Sequence, residues 1–174
     1  MATYVSTKTY GTDRGLSCCF RQWRSTHSHC SLLHGYSIGI RLVFESICLD
    51  DRNWVMDFGG LKAFKDWAEY MFDHTLVVAQ DDPHLEMFKN MAAMGLQDAG
   101  GVCDLRIVEA VGCEKFAELA YTEMQHILQT FKANREYVLP NGRTYSARYP
   151  VGMFVKLRSA EVFEHDGNSA IYEG

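Results

Sequence analysis

The sequence predicts an α+β fold in which two helices cover one face of an antiparallel sheet. Alternating apolar positions at Leu16, Cys18 and Phe20, and at Ile38, Ile40, Leu42 and Phe44, mark strands with one buried face. Leu61, Phe64, Ala68 and Met71 recur at helical spacing, as do Phe116, Ala120, Met124, Ile127 and Phe131. The order of these patterns is strands, helix, helix, hairpin, strand, which suits segregated helices better than repeated βα units.

Leu16 to Trp23 reads as the first strand, and Ser25 to Cys30 as a polar loop. Tyr36 to Glu45 is the second strand. Asn53 to Phe58 continues the sheet after a turn at Leu49-Asp50-Asp51-Arg52, so the opening reads as an antiparallel meander. Gly59-Gly60 breaks the alternation, and the first helix then runs to Asp73-His74 with Lys62, Lys65, Asp66 and Glu69 on its polar face. Leu85 to Leu96 suits a short extra helix, and Leu105 to Val108 is β-like but brief. The second long helix starts near Glu114. Pro140-Asn141-Gly142 is a hairpin signal between Tyr137-Val138-Leu139 and Thr144-Tyr145. A last strand runs from about Gly152 to Glu164.

With 174 residues the chain suits one domain, residues 1–174, with a sizeable core. A net charge of -5 argues against non-specific nucleic-acid binding, which needs a basic surface. No apolar run reaches membrane-spanning length, and Met1 to Arg14 lacks the apolar core of a secretory signal. The six cysteines form no C-x-x-C pair and no disulfide-scaffold spacing. Reduced thiols in a cytoplasmic protein are the expectation.

One stretch concentrates chemistry. Cys30-Ser31-Leu32-Leu33-His34-Gly35-Tyr36 puts a thiol and an imidazole four residues apart, with His27 and His29 just upstream. Such a cluster suits a metal site, a reactive cysteine, or both; it also suits an ordinary polar loop leading into a strand. Two imidazoles two residues apart in an extended segment would point the same way and converge on one ion. Asp73-His74 at a helix end pairs a carboxylate with an imidazole, which fixes its tautomer, or simply ends the helix. Glu164 closes the last strand as a carboxylate able to accept two hydrogen bonds, whereas Glu161 reads as solvated. Glu114 falls where a helix dipole stabilises a carboxylate.

At these residues the chain resembles the family of 6-pyruvoyltetrahydropterin and 6-carboxytetrahydropterin synthases. Cys30-x-x-Leu33-His34-Gly35-Tyr36 is similar to that family's C-x-x-L-H-G-H. Val55-Met56-Asp57-Phe58 with Leu61-Lys62 is similar to its V-M-D-F-x-x-L-K, and Phe72-Asp73-His74 to its L-D-H. Gly112-Cys113-Glu114 with Phe116-Ala117 sits where the family has P-T-S-E, and Glu164 with Ala170 and Tyr172 matches its closing E-T…Y.

The resemblance implies the tunnelling fold, with subunits joining sheets into an oligomeric barrel, usually a homohexamer. It implies a pterin substrate bound between subunits, and no nucleic-acid or membrane partner. Carried over, Cys30 is the proton-abstracting base, Asp73 and His74 assist proton transfer, and Glu164 anchors the pterin ring, with Glu114 a further ligand contact. The implied cofactor is Zn2+ held by three histidines. His34 matches one of them, and His27 and His29 compete for another. The third position is Tyr36, whose neutral phenol is a poor ligand. The implied activity is a 6-carboxytetrahydropterin synthase-like lyase acting on dihydroneopterin triphosphate, in a deazaguanine or queuosine type of pathway. The alternative is a tunnelling-fold protein that binds a pterin without the standard zinc site, or acts on a changed substrate.

Overall fold

A computed structural model of the chain describes residues 3–94 and 101–174. Strands β1 (Tyr4–Tyr10), β2 (Leu16–Phe20) and β3 (His34–Ser46) open the fold. Helix α1 (Lys62–Phe72), strand β4 (Thr75–Ala79), helix α2 (Leu85–Ala93), strand β5 (Asp104–Val108) and helix α3 (Cys113–Lys132) follow. The small hairpin β6 (Tyr137–Val138) and β7 (Thr144–Tyr145) precedes β8 (Lys156–His165) and β9 (Asn168–Glu173). The main sheet runs β5-β4-β2-β3-β8-β9, with β1 paired to the far half of β3.

The sheet is mixed, not wholly antiparallel as the sequence suggested. β2 pairs with β4, and β4 with β5, in parallel. Parallel neighbours need a crossover. Here α1 returns the chain beside β2, and α2 bridges β4 to β5. β4 is buried along its whole length, so its Thr-Leu-Val-Val-Ala run shows no alternation to read. β1 was also missed, because six of its seven residues are at least partly exposed. The two long helices lie on one face of the sheet, and the short α2 covers the other. α1 and α3 share the main core with Val77, while Phe88 of α2 packs on Leu76 and Val78 across the sheet.

Asn53 to Phe58 is not a strand. Asp50 Oδ1 accepts the backbone N–H groups of Arg52 and Trp54 at 2.8 and 2.9 Å, and Asn53 turns through a φ of 62°. Asp57 then accepts the Gly59 N–H and caps a short 3-10 turn, Phe58–Leu61. Asp side chains that bond the backbone two residues on favour turns over ladders. The extra helix α2 ends at Ala93 with Met94 as its cap. The Gly95 and Leu96 end of the expected helix, and positions 95–100 within the expected insertion from Asp81 to Glu109, lie outside the described residues.

The predicted hairpin forms. Leu139 donates to Arg143 O and Gly142 sits at a φ of 85°. It is fastened to α1 at buried Asp66, which accepts from Lys62, Arg143 and Tyr145. The last strand starts at Lys156, not Gly152, and turns back through β9. No helix among the described residues is long and apolar enough to cross a membrane.

Candidate functional site

β3 carries His34 and Tyr36 on the face that, further along, buries Ile38, Ile40 and Leu42. Their rings meet edge to face at 5.3 Å, and fully buried Phe20 of β2 packs against both. Phe20 in turn stacks on Phe116 of α3, so these rings rest on the main core. His34 Nδ1 lies 2.7 Å from Leu32 O, which leaves Nε2 as the free ring nitrogen.

The N-terminus of α3 and the end of β8 close on Tyr36. Cys113 Sγ donates to Val162 O at 3.0 Å, tying helix to strand. The β8–β9 register slips between Phe163 and His165, so Glu164 sits at a bulge. A bulge re-aims a side chain out of the ladder. The Tyr36 phenol is pushed up by burial first, then by the negative charge of the Glu164 carboxylate and, less, by Cys30 and Cys113. Burial and then Glu164 raise the Cys113 thiol to about 11, which keeps it protonated at neutral pH. Cys113 is therefore a packed thiol beside the site.

Glu114 lies exposed in the first turn of α3. Gly112, at a φ of 126°, lets Gln22 and Glu114 close over it: a Cβ there would stand 2.7 Å from Gln22 Nε2 and 3.8 Å from Glu114 Oε2. Sequence reasoning missed Gln22. It also missed His165, whose ring stands 6.5 Å from that of Tyr36. Its only signal was adjacency to Glu164.

The loop before β3 is not extended. Ser28 Oγ accepts the Cys30 N–H at 3.1 Å and starts a 3-10 turn over His29–Ser31. This removes the geometry that would have aimed His27 and His29 the same way, and both are exposed. A catalytic zinc takes three protein ligands. Among the described residues no group of three or more His, Cys, Asp or Glu side chains is placed to hold a metal ion. Tyr36, at the third ligand position, has its phenol pushed further from ionisation. The residues within one chain therefore do not fit the three-ligand zinc that the motif implies.

Asp73 and His74 form their pair, with Oδ1 and Nδ1 2.6 Å apart. His74 takes a φ of 56° and its N–H bonds Ser17 O at 2.7 Å, which turns its ring outward to 86% exposure. It borders a cavity of about 390 Å³ lined by Ser17, Cys19, Leu33, Gly35 and Cys103. Ser17, Cys19 and Gly35 alternate with Cys18, Phe20 and Tyr36, so this cavity lies on the sheet face opposite Tyr36. Among the described residues no hydrogen bond or ion pair joins this pair to Cys30. A larger cavity, about 520 Å³, is lined by the Val55-Met56-Asp57-Phe58 motif with Tyr4 and Trp54, and Asp57 Oδ2 is buried there without a partner.

The fold has solved counterparts. An uncharacterized protein from Wolinella succinogenes superposes with a TM-score of 0.72 at 17% identity, covering 100% of this chain and 99% of that one. The 6-pyruvoyl tetrahydropterin synthase of Plasmodium falciparum gives 0.60 at 11% identity, covering 100% and 99%. At such identities the likeness carries the fold alone, and that fold is the α+β tunnelling fold.

The family profile described as 6-pyruvoyl tetrahydropterin synthase matches residues 12–139, and the chain belongs to that family. A 6-carboxy-5,6,7,8-tetrahydropterin synthase from Rickettsia felis is 33% identical over 57 residues, 32% of this chain and 41% of that protein. The match thus spans under half the length of that relative. The corresponding protein of Rickettsia conorii matches to the same extent.

Proposed function

We propose that the chain is a lyase of the 6-carboxytetrahydropterin synthase type, acting on dihydroneopterin triphosphate. The observation that carries this reading is Glu164, half-buried at a bulge of β8 beside His165, whose ring stands 6.5 Å from that of Tyr36, and without a side-chain partner among the described residues. A carboxylate freed from the ladder at a bulge can accept two hydrogen bonds from the 2-amino group and ring N–H of a pterin. Cys30, four residues before His34 in the motif, would act as the thiolate, its sulfur taking the proton from the side chain of a ring so anchored and becoming the thiol. The Asp73-His74 pair borders the cavity on the sheet face opposite Tyr36, so it would serve a neighbouring copy's site. The ligand would then lie between subunits, as in the ring-shaped homohexamer that the resemblance implies. Because the residues do not fit a three-histidine zinc, no step is assigned to a metal.

A second reading rests on Tyr36. With a phenol in a ligand position and no three-donor group among the described residues, the chain would bind a pterin without turning it over.

One experiment separates the two. Fresh protein, with and without added zinc, is incubated with dihydroneopterin triphosphate while triphosphate release and pterin products are followed. Turnover that disappears in Cys30→Ala supports the lyase. Tight pterin binding with no turnover in either condition supports the binding protein. Light scattering that finds a stable monomer at micromolar concentration overturns the shared-site reading.

A further inference from the structure

The turn after β4 reaches back to the loop that carries Cys30. Asp82 is buried there, its side chain 1% exposed. Its two oxygens accept Arg21 Nε at 2.8 Å and Nη2 at 2.9 Å, and Oδ1 also accepts the His84 N–H at 2.8 Å. Burial pushes the Asp82 carboxyl up, but the Arg21 hydrogen bonds and the His84 N–H outweigh it, and the group stays below its ordinary range. The guanidinium is also seated against Phe88 of α2, 6.0 Å from the ring centre.

Held in this way, Arg21 has one nitrogen left, and it points at the loop. Nη1 donates to Ser31 O at 3.3 Å. The next residue adds a second strut, Gln22 N–H to Cys30 O at 2.8 Å. These bonds fall on the two carbonyls at and just after Cys30, within the single turn that Ser28 starts. An Arg held bidentately has its remaining donor direction fixed, which a lysine cannot reproduce. A second contact, Asp81 with Arg24 and Trp23, lies outside this one and is exposed.

We propose that Asp82, acting through Arg21, is a positioning residue that fixes the Cys30 turn and so sets where the thiol meets substrate. The inference rests on Cys30 as the base of the proposed lyase. It gives the segment beginning at Asp81 a task at the site, through Arg21 and the turn that carries Cys30. The class of substrate is unchanged; the placement of the thiol is what the pair controls.

The test reads the thiol directly, without substrate. Alkylation of Cys30 by iodoacetamide is followed by peptide mass spectrometry and divided by that of exposed Cys48 in the same chain. Asp82→Asn removes the charge at constant shape, and Arg21→Lys keeps charge but loses the fork. Both should shift the Cys30-to-Cys48 ratio by about tenfold or more, within the roughly 100-fold that a displacement of about 1 Å can cost a reacting group. Asp81→Asn should leave it unchanged.

A ratio equal to the parent's in both folded variants overturns the proposal. A parallel rise at both cysteines also overturns it, since that reports general loosening. In the lyase assay the same variants should lower kcat with KM preserved. Turnover that survives Cys30→Ala defeats the catalytic reading alone, because the alkylation ratio still decides the positioning.

Discussion

Two carboxylates three residues apart on β8 have opposite fates. Glu161 is buried, accepts from Arg41 and Ser169, and faces Arg41 directly across the β3–β8 ladder. Glu164 is half-buried at the bulge and makes no side-chain hydrogen bond or ion pair with another described residue. The sequence suggested the reverse for Glu161, which reads as a solvated neighbour until its partner 120 positions upstream is placed beside it. A buried carboxylate with both oxygens bonded inside the fold is structural. One left open beside Tyr36 and Cys113 is available to a ligand.

The largest expected effect falls on Glu164. Glu164→Ala should weaken binding of neopterin, read by fluorescence titration, roughly 100-fold, the size of two charge-assisted hydrogen bonds. Its urea midpoint should barely move. Unchanged neopterin affinity would erase the contrast with Glu161. The converse variant, Glu161→Ala, should lower unfolding free energy in urea by about 2 kcal/mol, because Arg41 loses a buried acceptor. Retained stability would mean that Arg41 is adequately solvated without it.

A third carboxylate, Asp66, sharpens the distinction through acid. Burial pushes it up, but hydrogen bonds from Lys62, Tyr145 and Arg143 prevail and hold it below its ordinary value. A depressed folded pKa means that its contribution is complete above the unfolded value of about 3.9 and is lost as pH falls through the folded value. Between about pH 5 and pH 3, Asp66→Asn should therefore lose less stability than the parent in urea melts. An equal loss would show that the hairpin anchor does not titrate in this window. The smallest effect concerns Cys113. Its thiol is raised by burial first and Glu164 second, so Glu164→Gln should speed its alkylation at alkaline pH only partly. No change at all would separate Glu164 from Cys113.

Much of the fold was legible where one face is buried and the other is not. β3, α1, α3 and the 137–145 hairpin follow their apolar spacing. β4 was hidden because burial on both faces abolishes the alternation, and β1 because partial exposure blurs it. Asn53 to Phe58 misled because its apolar side chains suit a strand while Asp50 and Asp57 turn the backbone. In the site, the motif residue His34 packs edge to face on Tyr36, and His165, next to Glu164, stands on Tyr36 as well. Gln22, His165 and the Arg21–Asp82 pair were not legible, because each acquires its meaning from a contact across the fold. The extended segment expected around His27 and His29 is interrupted by one hydroxyl, Ser28, which starts a 3-10 turn at His29.

The central place of β3 has a consequence for how the chain is made. Its partner β8 lies about 120 residues further along, as the Arg41 to Glu161 pairing measures. At ribosomal speeds of 5–20 residues per second, about 6 to 24 s separate the emergence of the two strands. For that interval the longest strand of the protein has β1 and β2 on one edge and an open row of backbone groups on the other. Nascent chains should therefore lean on chaperones during this window, and mutations that lengthen the wait should lower yield without touching the finished molecule.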